Sequence, residues 1–188
     1  MTSPARRSAI VLVALALQIG WVTAQSKNET FFATASVKHG EARATAPVVI
    51  EVTRYASDDQ RAAAIKSLRE GGTAGVRSTL SGMPDAGSIR IGDRRTAIKF
   101  ASQRPADSGR LVTVVTSEPI LFLGAGIPAA KPTTGFDVAI ALLHIKDGAE
   151  SMGELAPAAK IRLDDHEAFV IEDYGAAVVW LEKLRRAQ

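Results

Sequence analysis

The most legible chemical spelling in this chain is Gly124, Gly126 and Ala129, the GxGxxA order of a dinucleotide-binding turn. Asp147 follows roughly where a ribose-binding acid would stand. Such a turn works by offering a helix N-terminus to a pyrophosphate, so a helix must follow it directly. Only nine residues, 127–135, with two prolines among them, separate the turn from a strand expected at Phe136. A parallel crossover needs about a dozen or more. The spacing therefore predicts loop glycines between antiparallel strands, and no nicotinamide or flavin cofactor.

Three other groups carry chemistry-bearing side chains. Asp164, Asp165, His166 and Glu167 stand together. The oxygens of Asp164, Asp165 and Glu167 are a candidate Ca²⁺ set. Against it, consecutive residues on a tight turn diverge, and no second histidine stands at ligand spacing; the competing reading is a solvated hairpin turn. Arg90, Arg95 and Lys99 share one face of an alternating segment, opposite Ile89, Ile91, Thr96, Ile98 and Phe100. Like charges opposed across a hairpin repel. The three form a candidate surface for an anionic ligand or partner, unless nearby carboxylates neutralise them. His144 shares a face with Phe136, Val138, Ile140 and Leu142, which predicts a buried, hydrogen-bonded histidine, while His39 is expected in a solvated loop. The chain contains no GxSxG turn, SxxK pair or HExxH helix, and no residue is assigned a catalytic role.

These groups need elements to hold them. Thr30–Val37 and Pro47–Arg54 read as strands from their β-branched and aromatic content. Ser57, the acids Asp58 and Asp59, and Gln60 then spell a capped helix start. A first helix ends at Gly71-Gly72, and a second, capped by Thr73, runs to Pro84. This pair could pass for a helix-turn-helix, but its second helix offers little beyond Arg77 and Ser78 to a nucleic acid. It is expected to cover one end or face of a sheet. From Gly87 the text is strand after strand, with Arg110–Thr116 and Phe136–Ile145 apolar on both faces and hence central. The predicted fold is mainly β (α+β). It is an antiparallel sandwich or barrel of about eight to nine strands, with a two-helix insertion after the second strand.

The N-terminus sets the context. Arg6 and Arg7 precede an apolar run from Ala9 to Val22, followed by small residues, the order of a secretory leader cleaved after Ala24; the alternative is an uncleaved N-terminal anchor, for which the run is short. The expected organisation is a signal peptide at 1–24, a polar tail at 25–29, and a single β-rich domain at 30–186 with its helical hairpin at 57–83. The pI near 9.4 owes part of its height to the leader. Without it, 21 basic side chains face 20 acidic ones, so bulk charge implies no polyanionic partner. The chain has no cysteine, hence neither disulfides nor a thiolate metal site.

The phrases GGTAGVRSTLSGMPDAGSIRIGDRR, GRLVTVVTSEPI, GELAPAAKIRLDD and VIEDYG, spread from about Ala42 onward, resemble those of hypothetical exported bacterial proteins without assigned activity. The resemblance implies a bacterial exported protein, periplasmic or extracellular, and supplies no catalytic residues. The sequence thus points to an exported, non-enzymatic domain that binds a small anionic or apolar ligand, or an envelope protein. It predicts no nucleic acid partner and no stable membrane span once the leader is removed. The alternative is a carboxylate-based hydrolase, with or without Ca²⁺.

Overall fold

The computed structural model describes residues 28–39, 42–120, 133–147, 150–175 and 177–187. Nine strands and one helix succeed one another: β1 (Glu29–His39), β2 (Ala42–Val52), α1 (Asp58–Ser81), β3 (Gly87–Ile91), β4 (Arg94–Ala106), β5 (Gly109–Thr116), β6 (Val138–Lys146), β7 (Ser151–Leu163), β8 (Phe169–Asp173) and β9 (Val179–Arg186). Every pairing is antiparallel. The order β6-β5-β4-β3-β2-β1-β9-β7 closes on itself through β6–β7. Eight strands therefore make a closed barrel, and β8 adds to the far end of β7. Closure removes the open edges that a flat sheet would expose.

Alternation sends one face of each strand into the lumen. Phe31, Ile50, Ile89, Ile91, Ile98, Leu143, Leu155 and Leu181, each at most 2 % exposed, meet there with Ala35, Ala101, Ala139 and Ala141 in one continuous core. An eight-stranded barrel is just wide enough for side chains to fill it, and the mixture of large and small residues does so.

A second core lies outside the barrel wall. Ile65, Leu68, Val76 and Leu80 of α1 pack with Phe100, Leu111, Val115, Val138, Ile140 and Ile161. This explains why β5 and β6 are buried on both faces over Leu111–Thr116 and Val138–Leu143: the inner face meets the lumen and much of the outer face lies under this layer.

The helical insertion falls after the second strand, as the sequence predicts, and forms a single helical element. Ser57 caps it reciprocally with Gln60: the Gln60 N–H reaches Ser57 Oγ at 3.3 Å, and Gln60 Oε1 accepts the Ser57 N–H at 3.1 Å. Gly72, at φ 59° and ψ −156°, breaks the helical backbone where the turn between two helices was expected, and the element continues to Ser81. Thr73 Oγ1 accepts the N–H of Ile161 at 3.1 Å, joining the bent helix to β7.

Bulges account for the strand faces that simple alternation misses. Ile98 opposes Thr116 and Phe100 opposes Val115, so Lys99 is an extra residue. The face reverses there, and Phe100, expected beside Ile98, packs in the outer core against Phe169 at 5.1 Å between ring centres. Lys183, at φ 52°, is the extra residue in β9 against both β1 and β7. The β5 hairpin opens at Gly109 (φ 125°), where a Cβ would stand 2.1 Å from the Ile145 carbonyl oxygen. That close approach demands glycine.

Candidate functional site

At one mouth of the barrel a carboxylate is buried among cations. Glu29 shares its strand face with the lumen residues Phe31, Ala35 and Val37, and is only 7 % exposed. Arg110 Nη2 donates to Glu29 Oε1 at 2.6 Å and Arg110 Nη1 to Oε2 at 3.0 Å. Arg186 Nη1 donates to Oε1 at 3.2 Å, and the Tyr55 hydroxyl donates to Oε2. Arg110 also donates to Gln103. β1 and β5 stand four strands apart in either direction around the closed barrel. The forked Glu29–Arg110 pair therefore crosses the whole lumen like a bar, with Tyr55 leaning in from the link between β2 and α1.

Burial pushes the Glu29 carboxyl upward, but the hydrogen bonds from Arg110, Tyr55 and Arg186 and the Arg110 charge outweigh it, holding the group below its ordinary value. Burial, then the hydrogen bond and negative charge of Glu29, push the Tyr55 phenol well above its ordinary value. All of this keeps Glu29 ionised and Tyr55 neutral. Both states serve a structural crossbar, and neither prepares a proton shuttle near neutral pH.

The Asp164, Asp165 and Glu167 group forms the turn between β7 and β8. Asp164 Oδ1 accepts the N–H groups of His166 and Ala168, both at 2.9 Å, and Oδ2 accepts from Arg104 at 3.0 Å. Burial opposes the charge of Asp164, but those two N–H groups and Arg104 lower its pKa. Glu167 pairs with Arg69 of α1, and Asp165 is exposed. Among the described residues no group of three such side chains gathers as a metal site. Beside the turn, Arg61, Arg104, Phe100 and Phe169 border a cavity of about 20 Å³. That is room for one water. The Nε of Arg104 is buried with no hydrogen-bond partner among the described residues.

Arg90 and Arg95 are directly opposed on β3 and β4, as the hairpin reading requires, and both are exposed. Arg95 lies 3.8 Å from Glu51 of β2. Lys99 turns away at the bulge to pair with Asp85 at 2.8 Å and to donate to the Met83 carbonyl at 3.2 Å. The trio is thus two opposed arginines on the outer wall and a lysine engaged elsewhere.

His144 is exposed, against the expectation of burial. Its face is covered along Val138, Ile140 and Leu142, but the outer core ends before it. It stands opposite Met152. His39 closes β1. The GxGxxA stretch at 124–129 lies outside the described residues. The strands on either side of it, β5 and β6, pair antiparallel, which is incompatible with a parallel crossover.

The outer face of β9, β1 and the start of β7, beside the α1 layer, carries what the sequence reading missed. Met152 on β7 and Trp180 on β9 are each 51 % exposed. Trp180 stands between Ser36 of β1 and Glu154 of β7. Lys183 and Arg185 of β9, Lys38 of β1 and Arg43 of β2 are exposed around them, with Lys38 directly opposite Arg43. Arg185 lies over the Phe32 ring at 4.7 Å. The parity of Trp180 with Glu182, against apolar Val179 and Leu181, was the available signal that this tryptophan points outward.

No family model, no curated protein and no solved structure matches the chain. No helix among the described residues is long and apolar enough to cross a membrane, which says nothing of spanning by strands.

Proposed function

We propose that the protein is an exported, non-enzymatic interaction domain of the bacterial envelope that works through the outside of its barrel. One observation carries the reading: the lumen is packed with side chains and its mouth is barred by Glu29 and Arg110, whereas the outer face of β7 and β9 keeps Met152 and Trp180 in solvent. Large exposed apolar side chains rimmed by charge mark interaction surfaces. A ligand in the lumen would have to displace the core. Arg90 and Arg95 extend the cationic wall along β3 and β4, consistent with an anionic partner. The carboxylate-hydrolase alternative draws less support, because Asp164 and Glu167 are each held by an arginine. Export follows from the leader spelling, with maturation after Ala24.

The test is to express the complete chain in a Gram-negative host, fractionate the cells, and determine the N-terminus of the recovered protein. Cross-linking in intact cells then compares the wild type with Trp180→Ala. Recovery from the periplasm beginning at Gln25, with cross-links that Trp180→Ala removes, supports the proposal. Recovery from the cytosol with Met1 attached, or co-purification of a small molecule held in the lumen, overturns it.

A further inference from the structure

The exposed wall has a composition that fits one kind of partner. We propose that the face formed by β7, β9 and β1 docks on an anionic lipid bilayer, an inference that rests on the envelope reading above and names the partner.

Three observations converge on it. Met152 and Trp180 are the only large apolar side chains so exposed among the described residues, and they project from neighbouring strands on the same side of the barrel. Around them stand four cations, Lys38, Arg43, Lys183 and Arg185, and two carboxylates, Glu154 and Glu182. Both carboxylates are engaged from their own side: Glu182 by Arg43, and Glu154 by the Tyr174 hydroxyl at 2.6 Å. With Arg43 paired to Glu182, Lys38, Lys183 and Arg185 stand against Glu154 alone, so the face carries a net positive charge toward a partner. The third observation is that the apolar layer beneath α1 lies on β4 to β8 and includes no residue of β9 or β1, so among the described residues it stops short of Trp180.

A polyanion would need only the charges. Trp180 and Met152 are superfluous to it and suited to a bilayer, where an indole sits at the headgroup level and a thioether enters the acyl boundary. Peripheral attachment of this kind combines modest apolar insertion with attraction of basic side chains to anionic lipid. Arg185 keeps its guanidinium over Phe32, which holds the charge at the surface beside the apolar contact.

The chain has two tryptophans, Trp21 and Trp180. In the full chain carrying Trp21→Phe, Trp180 is the sole reporter. With vesicles of phosphatidylcholine and phosphatidylglycerol, its emission should shift to the blue and be quenched by brominated acyl chains, and with phosphatidylcholine alone it should not. Lys38→Glu with Arg185→Glu should weaken partitioning about thirtyfold or more, with an unchanged melting transition, and the leader, common to both proteins, cancels. Added salt acting on the unsubstituted wall provides the same test without a substitution, and should release the protein. An unquenched Trp180 on anionic vesicles overturns the proposal, as does partitioning indifferent to the charge reversals and to salt. If Trp180→Ala still abolishes cross-linking in cells when vesicles leave Trp180 unquenched, the lipid assignment fails and the interaction-domain reading stands.

Discussion

Arg110 at the barrel mouth and Arg185 on the outer wall both sit on strands, and their surroundings give them different work. Arg110 reaches into a space where Glu29 is almost sealed from water, and its planar fork meets both carboxylate oxygens. Arg185 lies on solvent beside an aromatic ring and near Lys183. Removing one member of a buried pair strands the other charge, whereas removing an exposed one leaves water to replace it. The mouth spends its charge on holding the barrel shut, and the wall leaves its charge available. In this molecule an arginine's role is set by whether its partner is inside the lumen or outside the fold.

The comparison breaks most readily at Glu29. Glu29→Ala would leave Arg110 and Arg186 without their shared acceptor, at a cost of about 3 kcal/mol. In a domain of this size that corresponds to roughly 6–12 °C in the melting temperature, measurable by calorimetry.

The same pair sets an acid limit. Because the folded carboxyl titrates below its ordinary value of 4.5, its contribution is complete above that pH and fades as the pH falls through the folded value. Asp164 and Asp85 are shifted in the same direction. Glu29→Gln should therefore make the acid limb of a stability–pH profile shallower without abolishing it. At the alkaline end Tyr55 works in reverse: its raised phenol contributes below the ordinary value of 10.0 and is lost as the pH climbs toward the folded value. Tyr55→Phe should make that limb shallower without abolishing it, because burial and Glu154 raise the Tyr174 phenol in the same direction.

The smallest effect belongs on the wall. Arg90→Ala and Arg95→Ala, separately or together, should change unfolding free energy by no more than about 0.5 kcal/mol in denaturant titrations. A larger loss would move these residues into the structural class with Arg110.

Much of the architecture was legible locally. Ser57 and Gln60 wrote the helix start, and Gly92-Asp93 the hairpin turn. The doubly apolar Leu111–Thr116 and Val138–Leu143 wrote strands covered on both sides. What alternation could not give were the positions where it stops: the extra residue at Lys99 moved Phe100 to the outer core. β7 runs from Ser151 through Gly153 and Pro157, residues that argue against a strand, and only its end at Lys160–Leu163 was readable. The crossbar was hidden for a different reason. Glu29, Arg110 and Arg186 are 81 and 157 residues apart in pairs, and no window along the chain contains them. The one local trace was an acid on the same strand parity as Phe31, Ala35 and Val37, where a charge must find a partner or remain exposed.

A double-mutant cycle between Glu29→Gln and Arg110→Met, read by denaturant unfolding, asks directly whether the lumen is spanned by a working ion pair. The crossed barrel predicts a coupling energy of about 2 kcal/mol or more. Additive losses, with coupling below about 0.5 kcal/mol, would mean that the two side chains do not hold the mouth together.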